Sequence, residues 1–409
     1  MKRFIRVISA IGVLAVLITP LIAVPEASSA QGIETLSLMW DRLDGHNATM
    51  WSVRWSPDNS MISSTFFDNT TVIWNATTGS RIVKLGSHEN YTAETRTRCD
   101  GIKMCKIADH YPTRISAWSP DGRYLAVGGD DTQIHIFETT NWTVERIFSG
   151  HEGSVLTLHF SHDGKYLASG SGTDKVDMHN FPENMIKIWD FETGSAIANL
   201  TGHVDGVLEV KWSPDDSKLV SSSDDKTLKM WETTNWTNTV NFTGHAGGVL
   251  SVDWSPNASL LVSGSRDYKM RKWNATSGEG IDVWEAPNCV RSVDWHEERG
   301  IIVSSGVAEV MVMIRNETNG AVMKTLDENK HAGGAIMSAR WSPNGEMLAT
   351  ASGKDFAIRV YAFGLGEEEP APLIPPWLPG VVFFFVVIAV SIWVTVIGVA
   401  RLLRKRERR

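Results

Sequence analysis

"VLSVDWSPNASLLVSGSRDYKMRKWN", residues 249–274, is the stretch whose reading decides the fold. It contains three short apolar runs, VLSVDWS, LLVSGS and KMRKWN, separated by PNAS and RDY. Alternation with a period of two, in runs rich in Val, Leu, Trp and Ser, predicts strands. Pro, Asn, Asp and Ser between the runs predict tight turns. ATSG then turns again, and GIDVWEA makes a fourth run. The same pattern recurs clearly at residues 51–75, 207–232 and 336–362, and degenerate copies end at Phe137, Trp189 and Ile314. The closing positions are 74, 137, 189, 231, 273, 314 and 361, with regular steps of 41 to 42 residues and insertions elsewhere.

Four short antiparallel strands per copy make a sheet with two apolar faces, which is not stable by itself. Seven such sheets arranged radially bury both faces and leave only short edges. The expected fold is therefore all-β, a seven-bladed propeller of four-stranded antiparallel blades over residues 31–363, followed by a C-terminal transmembrane helix. Gly45-His46, Gly150-His151, Gly202-His203 and Gly244-His245 precede the first strand of their copies. Asp68, Asp225, Asp267 and Asp355 each stand six residues before the closing Trp or Tyr. With these residues the chain resembles the WD-repeat β-propeller family over about residues 33–363.

That resemblance implies a hydrogen-bonded network inside each blade, made by a His, a Ser or Thr, the Asp and the Trp. The best-matched sets are His46, Asp68 and Trp74; His203, Asp225 and Trp231; and His245, Asp267 and Trp273. Partial sets are Asp131 in the second copy, His151 and Trp189 in the third, and His331 and Asp355 in the seventh. A recurring His and Asp is then structural rather than catalytic, because buried polar groups need partners. The second copy ends in Phe137 without a Gly-His, and the sixth reads as having neither His nor Asp and ending in Ile314. The last copy stops at its third strand, and IETLSLMWDRL, residues 33–43, is expected to supply the fourth and close the ring.

The ends read as targeting segments. Residues 1–30 carry Lys2, Arg3 and Arg6, an apolar run and the small Ser28 and Ala30, the layout of a secretory signal. Residues 381–400 form an uncharged 20-residue run, long enough as a helix to span about 30 Å of hydrocarbon. Trp377 precedes it and a basic cluster follows, so a transmembrane helix is expected over 379–402 and a cytoplasmic tail over 403–409. Residues 364–378 are an acidic, Pro-rich linker. The expected location is the cell membrane, single-pass, with the propeller outside.

The formal charge is −8, but the tail from Arg401 is net +5 and residues 1–30 are net +2, which leaves −15 on the rest. That acidity argues against nucleic-acid binding, which needs concentrated Lys and Arg. Outside the cytoplasm, Cys99 and Cys105 are placed to form a disulfide, while Cys289 reads as a small buried residue. Eleven Asn-x-Ser/Thr sequons occur, at Asn47, Asn69, Asn75, Asn90, Asn141, Asn199, Asn235, Asn241, Asn257, Asn274 and Asn316.

Strand direction alternates, so fourth-to-first connections and second-to-third turns share one face, here called the top. Two insertions fall there, residues 86–112 and 171–184. Long loops on a rigid scaffold are where binding usually resides. The candidate partner-binding residues are Tyr91, Arg96, Arg98, Lys103, His110, Tyr111, Asp177, His179 and Phe181. Of Asp109, His110, Asp174, Asp177 and His179, only Asp177 and His179 are spaced as metal ligands, so no metal is expected. No phosphate loop, nucleophile elbow or His-Glu metal helix occurs, and no cofactor is expected. Before each inner-strand aromatic stand Arg54, Ala117, His159, Lys211, Asp253, Asp294 and Arg340, which read as a ring of cross-blade ion pairs along the axis. The expected function is non-catalytic protein or peptide binding through the top face. The alternative is an enzyme or small-ligand receptor that uses the central channel.

Overall fold

In the computed structural model, the residues described are 36–42, 49–86, 113–172, 183–296, 298–306, 312–326, 335–353 and 355–363. Twenty-eight strands build seven four-stranded sheets. Strand β1 is Leu36–Arg42. Blade 1 is β2 (Met50–Trp55), β3 (Met61–Phe66), β4 (Thr70–Asn75) and β5 (Arg81–Gly86). Blades 2 to 6 follow as β6–β9 (113–149), β10–β13 (154–200), β14–β17 (207–242), β18–β21 (249–285) and β22–β25 (290–326). Blade 7 is β26 (Ile336–Trp341), β27 (Met347–Ser352) and β28 (Ile358–Phe363), with β1 beside β28 as its outer strand. The ring thus closes by strand pairing between the two ends of the propeller, as the sequence predicts, and the open edge is removed.

Burial follows strand position. Second strands such as β3 and β19 (Leu260–Ser265) are buried on both faces, while the outer strands of blades 1 to 6 bury one side chain each, as Leu85 in β5 and Trp284 in β21, and β1 buries two, Leu36 and Trp40. The second strands need small residues because the next blade lies against them. A Cβ at Gly264 would lie 2.5 Å from Val290 of the neighbouring blade. The apolar clusters lie between adjacent blades: Val220, Leu228 and Met230 of blade 4 pack on Val249, Val252 and Leu261 of blade 5.

In every blade the first strand pairs with the second through one register shift near its upper end, as between Met50 and Ser52 or Val249 and Ser251. A bulge leaves one residue out of the ladder and re-aims its side chain. Here it frees Trp51, Arg114, Leu156, Leu208, Leu250, Arg291 and Met337, one per blade, and all seven line the upper mouth of the axial channel.

The structure corrects two expectations. In blade 6, Ile302 pairs with Arg315, as Leu261 pairs with Trp273 in blade 5, so Arg315 and not Ile314 holds the closing position. Its guanidinium donates from Nη1 and Nη2 to the carbonyls of Gly320 (2.9 Å) and Glu285 (2.8 Å), at a position where other blades hold an aromatic ring. Cys289 is a partly exposed free thiol rather than a core residue. It precedes β22 (Val290–Trp295) in a connecting turn, and its carbonyl rather than its side chain packs on Gly306. The signal, linker, transmembrane and tail segments lie outside the described residues, and so do Cys99 and Cys105. Among the described residues, no helix is long and apolar enough to cross a membrane.

Candidate functional site: the axial channel and its upper mouth

The blade networks consume the recurrent His and Asp. In blade 4, His203 Nδ1 meets Asp225 Oδ2 at 2.7 Å and Nε2 meets Ser221 Oγ at 2.8 Å, while Trp231 Nε1 donates to the same hydroxyl at 2.9 Å. Blade 5 repeats this with His245, Asp267, Ser263 and Trp273. In blade 1, Trp74 donates to Ser64 Oγ and Asp68 accepts from Thr70 Oγ1, while His46 lies outside the described residues.

Three partners escaped the sequence reading. In blade 3, Glu183 takes the Asp position: Oε1 lies 3.0 Å from His151 Nδ1, and Oε2 accepts from Gly153 N at 2.8 Å. Glu183 stands six residues before Trp189, the same offset as the aspartates, so the signal was present within the supposed insertion 171–184. Ser171 and Gly172 also belong to β11 (Tyr166–Gly172), so the true insertion is shorter. In blade 2, where no Gly-His occurs, His135 Nε2 meets Asp131 Oδ2 at 3.0 Å. In blade 7, Arg359 Nη2 pairs with Asp355 at 2.6 Å, from the same register position as His135, and His331 lies outside the described residues. In blades 2 and 7 the third strand thus supplies an imidazole or a cation four residues after the Asp, and blade 3 has Lys187 at the same offset, 3.8 Å from Glu183.

Burial holds His151 and His245 below their ordinary value, and the facing carboxylates only partly offset it. Asp225 and Asp267 are depressed: burial opposes this, but the His hydrogen bonds and backbone donors outweigh it. The unfolded chain therefore binds protons that the folded blades refuse, first on histidine as pH falls through 6.5 and then on aspartate near 3.8. Stability is expected to fall from pH 7.5 to pH 5 and more steeply below 4. Urea unfolding at each pH tests this, and a midpoint that rises between pH 7.5 and 5 would refute it.

Along the channel, Lys211 meets Asp253 at 3.3 Å and Arg340 meets Asp294 at 3.2 Å, the two cross-blade pairs read from the sequence. The carboxylates also accept from the next blade, Asp253 from Trp295 N at 2.7 Å and Asp294 from Trp341 N at 2.8 Å. The centre of the channel was not foreseen. Glu209, 4% exposed, lies 2.5 Å from Arg340 Nη2 and 3.7 Å from Arg54 Nη2, and accepts from Val252 N. Burial pushes its carboxyl up, but Arg340, Lys211 and Arg54 outweigh that and hold it below the usual range. Burial, with Asp253 nearby, pushes Asp294 up to about 6 despite Arg340, and burial with Arg340 pushes Arg54 down to about 10.

Around this cluster are two cavities. The lower, of about 360 Å³, is lined by His159, Lys211, Asp253, Asp294 and the inner-strand tryptophans. The upper, of about 260 Å³, opens at the ring of bulged residues. Its lining divides in two. Leu156, Leu208 and Leu250 form an aliphatic arc on blades 3 to 5, and Trp51 sits with Arg114 at 4.7 Å and Arg291 at 5.0 Å from its ring. No group of three His, Cys, Asp or Glu arranged for a metal occurs among the described residues.

Six segments, residues 39–75, 104–138, 142–190, 194–232, 236–274 and 320–362, match the WD40 family (WD domain, G-beta repeat), more than half of the chain. The chain belongs to that family. The longest unmatched stretch between these segments, 275–319, contains most of blade 6, where Arg315 replaces the closing aromatic residue. The WD40 chain is similar to Protein FIZZY-RELATED 3 of Arabidopsis thaliana, 24% identical over 238 residues, 44% of this chain and 49% of that protein. It is also similar to Protein FIZZY-RELATED 2 of the same plant, 28% identical over 184 residues, 36% of this chain and 38% of that protein. It thus spans half or less of the length of these relatives. The candidate partner-binding residues Tyr91, Arg96, Arg98, Lys103, His110, Tyr111, Asp177, His179 and Phe181 all lie outside the described residues of this WD40 propeller.

Proposed function

We propose that this WD40 chain is a non-catalytic protein-interaction scaffold that takes its partner through the top face. The observation that carries this reading is the set of seven bulges, which turn one side chain per blade into the upper mouth. The recurrent His and Asp of blades 4 and 5 meanwhile are bonded to one another inside the blades. The insertions read from the sequence as 86–112 and 171–184, of which 87–112 and 173–182 lie outside the described residues, are proposed to share this face. The proposal includes a propeller held outside the cytoplasm by the apolar segment 381–400, which rests on the sequence pattern of the two ends.

Affinity capture with the full chain tests the scaffold. A partner retained by the parent but lost when 87–112 and 173–182 are replaced by short turns supports the reading. Equal recovery would move the site off the top face. Glycan mapping tests the location. Asn141, Asn199, Asn235, Asn241 and Asn257 are exposed, whereas Asn69 is 8% exposed in a second-to-third turn with φ of 67°. In a host with N-glycosylation, the first five are expected to carry glycan and Asn69 none. Five unmodified exposed sequons would argue against an extracytoplasmic propeller.

A further inference from the structure

We propose that the upper mouth recognises a carboxylate beside an aliphatic side chain, presented by an extended peptide segment of the partner. This rests on the top-face reading above and names the chemistry of its site.

The argument begins with a ladder of cross-blade hydrogen bonds. One residue below the bulge, Thr157 Oγ1 accepts from Val210 N (3.1 Å) and Glu209 Oε2 from Val252 N (3.0 Å). Ser251 Oγ then accepts from Val293 N (3.0 Å) and Ser292 Oγ from Ala339 N (3.3 Å). The ladder runs from blade 3 to blade 7. Ser338 and Ser52 continue the series into blades 7 and 1, and they are 3% and 4% exposed. Their hydroxyls have no hydrogen-bond partner among the described residues, and neither does the buried indole N–H of Trp51. All three line the upper mouth. Three buried polar groups without a partner, on residues that line one cavity from adjacent blades, are an unusual deficit in a folded protein.

An acceptor-only group is the chemistry that unpaired donors take, and a carboxylate has about four lone-pair sites. The local charge agrees. Five arginines (54, 114, 266, 291 and 340) line this cavity against three carboxylates (205, 209 and 224), on an acidic propeller. Arg114 is already held by Asp130 at 2.7 and 2.9 Å, Arg340 by Glu209 and Asp294, Arg54 by Glu209 and Arg266 by Asp224, so these contribute field rather than free forks. The opposite wall is the aliphatic arc of Leu156, Leu208 and Leu250. A cavity of about 260 Å³ admits a pair of side chains, not a folded surface.

The experiment titrates the full-length chain with blocked short peptides carrying a central Leu-Glu, Leu-Lys or Ser-Glu. Leu-Glu is expected to bind about tenfold or more tightly than either control. In the double variant Ser52→Ala with Ser338→Ala, folding stability should be unchanged or raised, because two unpaired hydroxyls are removed. Its affinity for Leu-Glu should fall about tenfold. Leu208→Asp should abolish binding. Equal or tighter binding of Leu-Lys would overturn the proposal, as would no binding of any peptide. So would a double variant that loses stability and keeps its affinity. A native partner retained by both the double variant and Leu208→Asp would leave the scaffold standing and remove the mouth from it. Peptide binding without any captured protein would do the reverse.

Discussion

Glu209→Gln is expected to lose about 3–5 kcal/mol of folding stability, although the substitution changes the shape of the side chain hardly at all. Glu209 stands between Arg340 and Arg54 at the centre of the channel. Removing its charge leaves the guanidiniums with one carboxylate fewer in a region where Arg340 is 6% exposed. Desolvation of a charge is tolerable only while its partner is present, so breaking the pair costs far more than the pair itself contributes. The amide would also place an N–H₂ group against a donor, or surrender the bonds from Ser251 and Val252 on the neighbouring blade. Urea unfolding monitored by tryptophan fluorescence should show a lower midpoint with little change in slope. A loss under about 1 kcal/mol would mean that water from the two cavities solvates Arg340, and that the cluster is no keystone of the ring.

Trp40→Ala is expected to cost about 3–5 kcal/mol and to open the ring at its seam. Trp40 lies on β1, the one strand of blade 7 that comes from the far end of the propeller. Its indole donates to Ala76 O at 2.8 Å, and its ring packs in the cluster shared by blades 7 and 1. A Cβ at Gly79, which has φ of 65°, would lie 2.6 Å from that ring, so turn and tryptophan are matched in shape. Truncation removes the contact that ties β1 to blade 1, and the paired edge frays first. Hydrogen exchange should accelerate in β1 and β28 before it does in blades 3 to 5. Uniform acceleration around the ring would show that closure and blade packing are one cooperative unit.

Much of the fold was legible because its signals are local. The period near 41, the turn residues and the strand alternation are each set within a few positions, and every copy repeats them. Glu183 was equally legible at the six-residue offset, and was overlooked only because an insertion precedes it. Blade 6 was not. Without a closing tryptophan nothing local marks the register, and a one-residue slip exchanges the faces of a strand, which is how Ile314 took the place of Arg315. The cross-blade pairs of Lys211 with Asp253 and Arg340 with Asp294 could be read, because equivalent positions on successive copies become neighbours. Glu209 could not. It reaches Arg340 131 positions away across the axis, between blades that are not adjacent.

The amino-acid sequence by itself determined the number of blades and their strand order, since each follows from a pattern repeated at short range, while the fate of the recurrent His and Asp came from the family resemblance and the closure of the ring from the strand missing in the last copy. Only the tertiary structure decided what fills the channel and what faces the mouth. "WSVRW" and "VLSVDW" read as plain alternating strands. Their pairing with the second strand is what expels Trp51 or Leu250 from the ladder. The spacing of blades around the axis is what leaves Ser52 and Ser338 without the bonds that Ser251 and Ser292 make. Both depend on contacts between residues distant along the chain, which no local pattern encodes.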